Sequence, residues 1–271
     1  MSRAFSVVIS VYRGDHPVHF RQAFDSILTQ NTAAQEIILA VDGPIGDELS
    51  KAVTHCGEQP SVKVLWLKEN VGRGAARHQA ILATSTSIVA VMDSDDICTP
   101  NRFELELNAM GSADVVGGYI AEFEEIASAP RRIRKVPLSH EEIVKRGRWL
   151  LPFNHVTIMF SKEAYLRVGG YRSLKKVEDY DLFHRMVSGG LKFVNIPEVV
   201  VLVRTSQAQY SRRQGLAYFR EEILLYNNML TSGYIGRGEW WRNVLIRTMV
   251  RFMPTAIFRM ISRNWLRARN G

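Results

Sequence analysis

Short runs of β-branched residues alternate with helix-length amphipathic segments through the first half of the chain. Strands are predicted at Phe5–Tyr12, Glu36–Asp42, Val62–Lys68 and Ile88–Asp93. Helices are predicted at residues 17–30 and 73–83, where apolar side chains recur at helical spacing. After Asp114 the pattern is less regular, and the best strand candidates are Val115–Phe123 and Val156–Phe160. Such alternation is typical of an α/β domain with a mostly parallel central sheet flanked by helices.

The composition fits a folded intracellular protein. The chain has 271 residues and is 46 % hydrophobic, enough to bury the core of one large domain or of one domain plus an appendage. Its two cysteines, Cys56 and Cys98, have no paired spacing and no nearby histidine cluster, which argues against disulfides and structural zinc. The first apolar run is too short and too β-branched for a signal peptide, and no run reaches the length of about 18 residues that a membrane span needs. We therefore expect a cytoplasmic protein without a transmembrane helix.

Three carboxylates, Asp93, Asp95 and Asp96, stand where the fourth predicted strand ends. In an open α/β sheet, ligands bind at this edge. Acids this close repel one another unless a cation or ordered water compensates, and a hard divalent ion would also bind the oxygens of a nucleotide diphosphate. An EF-hand is excluded because Ile97 and Cys98 stand where a ligand and a glycine are needed. A solvated turn that caps the next helix is the open alternative.

Two further segments follow predicted strands at the same edge. Asp42 ends the second strand, and the turn at Gly43-Pro44 lets the backbone approach a ligand closely. Residues 70–78, after the third strand, contain two glycines and two arginines, which suits a helix start near phosphate. A helix start with solvated arginines is equally common. The segment that follows the first strand, residues 12–16, lacks the glycines of a dinucleotide-binding fingerprint, which excludes a dehydrogenase.

Glu178 and Asp179 are predicted to begin a helix whose apolar side chains face the core. Acids in a first helical turn are favoured by the helix dipole, so capping is one explanation. A general base needs the same place, a junction between loop and helix that is open to substrate. The residues by themselves leave both alternatives open.

Together these segments resemble the family 2 glycosyltransferases, the inverting enzymes of the GT-A fold that build bacterial polysaccharides. The resemblance covers about Phe5 to Ser211 and lies in the order of several motifs. The nucleotide-binding half of the family is matched by Ser6–Tyr12, Ser26–Gln30, Asn70–Gly72 and Ala75–Arg77, and its acidic metal motif by residues 93–96. The acceptor half is matched by Asn154-His155, Val168–Arg172 and Glu178–Leu182.

The resemblance implies a role for each matched residue. Asp42 would recognise the nucleobase, while Asp93 and Asp95 would hold ribose and metal near the diphosphate. Asp179 would be the general base that takes the proton of the acceptor hydroxyl. The other implied residues are Asn70, Arg77 and Arg204 on the nucleotide-sugar side and His155 and Glu178 on the acceptor side. The implied metal is Mg²⁺ or Mn²⁺.

Two of these assignments keep an alternative. Many members of the family have a histidine after the residue that corresponds to Arg204, and this chain has Thr205 and Ser206 there. Waters or diphosphate oxygens would then complete the metal shell, as Mg²⁺ allows. Arg204 either binds phosphate or belongs to a solvated basic loop. His155 is either an acceptor-site residue or a core histidine.

The implied protein has the GT-A nucleotide-diphospho-sugar transferase fold in residues 1–212 and a helical region in residues 213–271. It would move a sugar from a nucleotide-sugar, with a leaning towards UDP, to a polyprenyl-diphosphate-linked saccharide. Such a reaction assembles exopolysaccharide, capsule or the O-antigen of lipopolysaccharide. A non-catalytic nucleotide-sugar-binding regulatory protein is the alternative, and the presence of Asp179 in its motif argues against it. A phosphohydrolase with Asp93 as nucleophile would need its acid pair on the first strand. In this chain the acids stand at the end of the fourth predicted strand, which argues against that class.

The C-terminal region is strongly basic. From Arg237 to the C-terminus there are eight arginines and one acid, Glu239, so this region carries +7 of the net charge of +8. Helices are predicted at residues 240–253 and 255–267, separated at Pro254. Arginines beside tryptophan and phenylalanine on a helix predict an anchor on an anionic membrane surface, here the inner face of the plasma membrane. Packing against the protein or another subunit is the alternative, and the apolar content is too high for a nucleic-acid-binding arm.

Overall fold

The computed structural model of the protein describes residues 3–124, 127–129, 132–205 and 215–252. The chain divides into two compact units between Thr205 and Ser206. The predicted boundary between residues 212 and 213 lies outside the described residues, so it stays a prediction.

The first unit opens with a regular alternation of strands and helices. Its first elements are β1 (Ser6–Val11), α1 (Pro17–Leu28), β2 (Glu36–Val41), α2 (Asp47–Gly57), β3 (Val62–Trp66), α3 (Arg73–Leu82) and β4 (Ile88–Asp93). The four strands and two helices predicted for this region are confirmed to within one or two residues at their ends. Helix α2 is an additional element.

The rest of the first unit mixes short strands with helices. Its elements are β5 (Ile97–Cys98), α4 (Arg102–Ala109), β6 (Val115–Phe123), β7 (Arg132–Arg134), α5 (His140–Arg146), β8 (Met159–Ser161), α6 (Lys162–Arg167), α7 (Glu178–Ser188) and β9 (Phe193–Arg204). The strand predicted at residues 115–123 is confirmed as β6, and the helix predicted to begin at Glu178 is confirmed as α7.

The strand predicted at Val156–Phe160 is wrong in its first half. A turn of 3₁₀ helix occupies His155–Thr157, and β8 begins only at Met159. The amide of Thr157 and its hydroxyl both donate to the carbonyl of Asn154, at 2.8 and 2.7 Å. These local bonds compete with strand pairing, which explains why a β-branched sequence turns here.

The sheet is mixed, but its long pairings are parallel. Within the described residues its order is β3-β2-β1-β4-β8-β6-β9-β5, and β7 pairs with β6 off this path. The pairs β1–β2, β1–β4, β2–β3 and β6–β9 are parallel, whereas each antiparallel pair joins two or three residues of each strand. The prediction of an α/β domain with a mostly parallel sheet is confirmed.

The core brings the predicted acids to one edge of the sheet. Every residue of β1 is buried, as expected for a parallel strand that is covered on both faces. In the parallel register, Val11 of β1 lies beside Val41 of β2, and Ser10 lies beside Asp93 of β4. Asp42 directly follows β2, so Asp42 and Asp93 flank the carboxyl end of β1.

The second unit is described as two helices, α8 (Leu216–Thr231) and α9 (Arg237–Phe252). They are held together by the buried carboxylate of Glu222, which accepts hydrogen bonds from Arg251 Nε and Nη2 at 2.7 and 2.6 Å. The helix predicted at residues 240–253 is confirmed as α9, with an earlier start, while the one predicted at residues 255–267 lies outside the described residues. Among the helices that the structure describes, none has the length and apolarity to cross a membrane.

Candidate active site

Asp42 is buried at the end of β2 and is fixed by the loop that precedes α3. Its carboxylate accepts hydrogen bonds from the backbone amides of Val71 and Gly72, at 2.7 and 3.1 Å, and from Asn70 Nδ2 at 3.0 Å. Gly43 has a φ of +79°, and a Cβ there would lie 2.5 Å from the backbone nitrogen of Asn70. Only glycine suits this close approach, so the strand end and the loop form one fixed pair.

The carboxylates of Asp93, Asp95 and Asp96 form a compact cluster at the end of β4. One ligand oxygen from each of them lies within 4.8 Å of the other two. Burial and then the charge of Asp93 raise the pKa of Asp95 to about 6. Burial, followed by the charges of Asp95 and Asp93, raises the pKa of Asp96 well above its ordinary value. The protein thus confines negative charge that a cation would stabilise.

Arg77 partly compensates this cluster. It lies on the inner face of α3, its side chain is 2 % exposed, and its Nη2 contacts a carboxylate oxygen of Asp93. Burial would raise the pKa of Asp93, but the charges of Arg77 and Arg73 outweigh it and hold the pKa below its ordinary value. Asp93 therefore stays ionised beside two acids that are harder to ionise.

Arg204, the last residue of β9, holds the acidic loop from the other side. Its backbone amide donates to Asp96 at 2.8 Å, and its Nε donates to the carbonyl of Asp95 at 3.2 Å. Its Nη2 donates to Gln22 of α1 at 2.7 Å, and the guanidinium lies 4.7 Å from the ring centroid of Phe123. These contacts orient the carboxylates of the loop.

Asp15 is a fourth acid at this edge, and the sequence analysis missed it. Its carboxylate accepts hydrogen bonds from Ser94 Oγ at 2.7 Å and from the backbone amide of Tyr12 at 3.0 Å. Burial raises its pKa to about 6, and the charge of Asp93 adds to that rise. The available signal was its place just after β1, the strand that pairs with β4.

His155 and Asp179 line one pocket. Its other lining residues are apolar side chains of α7, of the sheet and of residues 151–158. His155 Nε2 lies 2.7 Å from the hydroxyl of Tyr171, and burial followed by the charge of Arg77 lowers the pKa of His155 to about 3. The imidazole is therefore neutral. The carboxylate of Asp179 accepts a hydrogen bond from the amide of Tyr180 at 2.8 Å.

The predicted site residues thus fall into three groups. Asp42 and Asn70 form the first, and Asp93, Asp95, Arg77 and Arg204 form the second. His155, Glu178 and Asp179 form the third. Arg73 interacts with members of the second and third groups. Its guanidinium donates hydrogen bonds to Glu178, and it also interacts electrostatically with Asp93 and Asp179. Arg73 was not among the predicted site residues.

The acidic cluster fits a hard divalent cation. Its donors are carboxylate oxygens, the ligands that Mg²⁺ and Mn²⁺ prefer. Burial and then the neighbouring carboxylates raise the pKa values of Asp95 and Asp96, and a bound cation would favour their ionised forms. Asp93 and Asp95 are the more exposed members of the cluster, whereas Asp96 is buried against the amide of Arg204. Asp93 and Asp95 are therefore the residues placed to meet a cation.

Comparison with known proteins defines a glycosyltransferase with the GT-A fold. Residues 6–169 match the sequence model of Glycosyl transferase family 2. The chain is 34 % identical over 263 residues to the amylovoran biosynthesis glycosyltransferase AmsE of Erwinia amylovora, covering 95 % of this chain and 97 % of that protein. The chain belongs to glycosyl transferase family 2.

Another relative and a solved structure extend this comparison. The chain is 32 % identical over 269 residues to the UDP-Gal:alpha-D-GlcNAc-diphosphoundecaprenol beta-1,3-galactosyltransferase of Escherichia coli, covering 97 % of this chain and 98 % of that protein. The crystal structure of S. aureus TarS 1-349 in complex with UDP-GlcNAc superposes with a TM-score of 0.65 at 15 % identity, covering 89 % of this chain and 70 % of that one. That likeness concerns the fold, and it confirms the predicted fold class.

Proposed function

We propose that this protein transfers a sugar from a UDP-sugar, with inversion, to a polyprenyl-diphosphate-linked saccharide during assembly of a bacterial surface polysaccharide. The observation that carries the proposal is the carboxylate cluster of Asp93, Asp95 and Asp96 at the same sheet edge as the fixed loop around Asp42. The names of the relatives from E. amylovora and E. coli support polysaccharide assembly and a lipid-diphosphate acceptor.

The donor would lie along the carboxyl edge of the sheet. Asp42 would contact the nucleobase and Asp93 the ribose, as the family resemblance implies, and Asn70 would hold Asp42 in place. Arg77 lies against Asp93, so its charge would also balance the diphosphate. Arg204 would act through the acidic loop, because it contacts Asp95, Asp96 and Gln22.

Asp93 and Asp95 would hold Mg²⁺ or Mn²⁺, which, when bound, offsets the negative charge on the departing nucleoside diphosphate. The acceptor hydroxyl would attack the anomeric carbon, and the bond from that carbon to the diphosphate oxygen would break as the new glycosidic bond forms. Asp179 would take the proton of that hydroxyl. A single displacement of this kind inverts the anomeric centre.

His155, which lines one small pocket with Asp179, would contact the acceptor sugar. Neutral His155 can either donate or accept a hydrogen bond at a sugar hydroxyl through the nitrogen that Tyr171 leaves free. A protonated His155 would place a positive charge near Asp179, stabilise its carboxylate and so weaken Asp179 as a base. The neutral imidazole avoids this effect.

We also propose that residues 1–212 are the glycosyltransferase domain and that residues 213–271 dock on an anionic membrane surface at the cytoplasmic face. On α9, large apolar side chains are exposed at intervals of three or four residues, at Trp241, Leu245, Met249 and Phe252. The net charge of +7 in residues 237–271 would attract anionic lipid, and the apolar face would insert. Docking there would bring the enzyme to a lipid-linked acceptor.

The test is mass-spectrometric detection of product from a panel of UDP-sugars and a synthetic lipid-diphosphate-GlcNAc acceptor, with Mn²⁺ or with EDTA. We expect product from one donor, dependent on the metal and absent in Asp179→Asn. Silence across the panel together with no UDP binding by calorimetry would overturn the proposal. Product formation by Asp179→Asn at the wild-type rate would overturn the assignment of the base.

A further inference from the structure

The side chain of Glu178 is enclosed, although it starts a helix beside the proposed base. It is 2 % exposed, and both of its hydrogen bonds go to one residue: Arg73 Nε and Nη2 donate to Glu178 Oε1 at 3.0 and 2.6 Å. Its Oε2 is buried and, among the described residues, has no hydrogen-bond partner. The contacts of this carboxylate in the structure are therefore with α3, through Arg73 and the backbone beside it.

Arg73 stands at the junction between the donor loop and α3. It is the first residue of α3 and follows Gly72, whose amide binds the carboxylate of Asp42. The ion pair with Glu178 therefore joins the loop that fixes Asp42 to the first turn of α7, across 105 residues of sequence. Asp179 is the next residue in that turn.

Gly74 makes this junction close. A Cβ at Gly74 would lie 3.2 Å from both Cβ and Cγ of Glu178, tighter than an ordinary contact. The backbone of α3 thus packs directly on the side chain of Glu178. The Arg73 side chain is 54 % exposed, so the enclosed side chain of Glu178 and this backbone packing are what distinguish the ion pair from one between flexible surface residues.

We propose that Arg73 and Glu178 form a strut that positions Asp179 relative to the donor loop, so that Glu178 is a positioning residue rather than an acceptor ligand. The inference rests on the proposed function, in which Asp179 is the base. The strut holds the first turn of α7 at a set distance from α3. Without it that turn shifts or frays, and Asp179 loses its alignment with the attacking hydroxyl.

The first test is a double-mutant cycle with Arg73→Gln and Glu178→Gln, assayed for transfer and for UDP binding. We expect each single variant to lower kcat by about 10-fold to 100-fold, the range for a misplaced catalytic group, with the Kd for UDP and the KM for acceptor within about twofold of wild type. The double variant should lose no more than either single variant, because both remove the same contact. Additive losses, or a raised acceptor KM at unchanged kcat, would overturn the strut.

Gly74→Ala provides a variant that removes no charge. Its methyl group would push Glu178 away by a few tenths of an ångström, so kcat should fall while UDP binding is kept. The control is Glu222→Gln, which removes a buried carboxylate that accepts hydrogen bonds from Nε and Nη2 of Arg251 and also pairs with Arg247, in the second unit. That control should lose stability without a change in the first turn of α7. An unchanged kcat in Gly74→Ala would contradict the strut.

Hydrogen exchange separates a failure of the strut from a failure of the proposed function. If wild type formed no product with any donor, the function would be wrong, but the strut would still predict faster exchange in residues 177–186 of both single variants. We expect about a tenfold increase there, where the amide of Asp181 donates to the carbonyl of Val177, and no change in Glu222→Gln. Equal exchange in wild type and both single variants would overturn the strut whatever the activity.

Discussion

The hydroxyl of Tyr171 lies 2.7 Å from Nε2 of His155, and the two rings meet edge to face with centroids 5.7 Å apart. Tyr171 belongs to the turn at residues 168–172, whose carbonyls at Val168 and Gly170 accept hydrogen bonds from Arg185 of α7. The helix that carries Asp179 therefore also braces the turn that orients His155. The positions of Tyr171 and His155 therefore depend on α7.

His155 is expected to stay neutral at pH 5. Its folded pKa of about 3 lies below the ordinary value of 6.5, because burial and the charge of Arg77 disfavour the imidazolium. The unfolded chain therefore takes up this proton first, and the associated stability is lost as the pH falls from about 6.5 towards 3. Histidine NMR should show no titration of His155 between pH 8 and 5. A midpoint near 6.5 would contradict the described environment.

Tyr171→Phe should destabilise the protein by about 1–3 kcal/mol, because it leaves a buried imidazole nitrogen without its partner. Urea denaturation measures this loss. Tyr12→Phe, at a tyrosine that is 37 % exposed, is the control and should change the free energy of unfolding by no more than about 0.5 kcal/mol. Equal values for the two variants would show that the bond to His155 contributes nothing.

Asp95→Asn is expected to stabilise the metal-free protein at pH 7.5. The folded pKa of Asp95, about 6, exceeds its ordinary value of 3.8, so ionisation of this group costs the folded state more than the unfolded state. Its penalty grows as the pH rises from about 4 to about 6 and is constant above. A gain of about 1–2 kcal/mol corresponds to about 2–8 °C in Tm for a protein of this size. The difference between variant and wild type cancels titrating groups elsewhere and reports Asp95 together with the acids that interact with it, Asp15, Asp93 and Asp96.

The same pair of proteins tests the metal. Scanning calorimetry in EDTA should show the higher Tm of the variant at pH 7.5, and that difference should shrink as the pH falls to 4. Mn²⁺ should raise the Tm of wild type and raise that of Asp95→Asn less, because a ligand has been removed. Equal responses to Mn²⁺ would exclude Asp95 as a metal ligand.

Gly43→Ala should weaken UDP binding and stability together. Alanine is strained at a φ of +79°, and its methyl group would lie 2.5 Å from the nitrogen of Asn70, so the loop that fixes Asp42 must move. We expect a loss of about 2 kcal/mol in the free energy of unfolding and at least a tenfold rise in the Kd for UDP. Gly46→Ala is the control, because nothing lies within 4 Å of its Cβ position. Unchanged UDP affinity in Gly43→Ala would separate this loop from the nucleotide site.

The half of the fold that sequence predicts well is the half made of buried parallel strands. Strands such as β1 and β4 are mostly apolar and almost wholly buried, so the sequence shows where they end, and acids stand at those ends. In the order β2-β1-β4, Asp42 and Asp93 lie on either side of the end of β1. Their placement at this edge needed only the strand ends and the parallel topology, whereas their proposed roles come from the family resemblance.

What sequence did not predict depends on contacts distant in the chain or on local competition. Arg73 and Glu178 each have an ordinary local explanation, a helix start, and only the packing of α3 on α7 makes them a pair. Asp15 meets Ser94 across 79 residues. At Thr157, side-chain bonds to Asn154 override a β-branched pattern that propensity assigns to a strand.

Removal of the apolar face of α9 should release the protein from anionic vesicles. Leu245 and Met249 are 59 % and 50 % exposed, next to Trp241 at 67 %, and an exposed row of this size is typical of a surface that binds a partner or a membrane. The double variant Leu245→Ser and Met249→Ser of the full chain loses two insertable side chains, so its partition into phosphatidylglycerol vesicles should fall at least about tenfold in sedimentation assays.

Leu224→Ser, at a leucine of α8 that is 48 % exposed, is the control and should bind like wild type. Because arginines supply the attraction, 0.5 M salt should weaken wild-type binding and neutral lipid should bind poorly. Undiminished binding by the double variant, or a shift from dimer to monomer in sedimentation velocity instead, would assign this face to a protein interface.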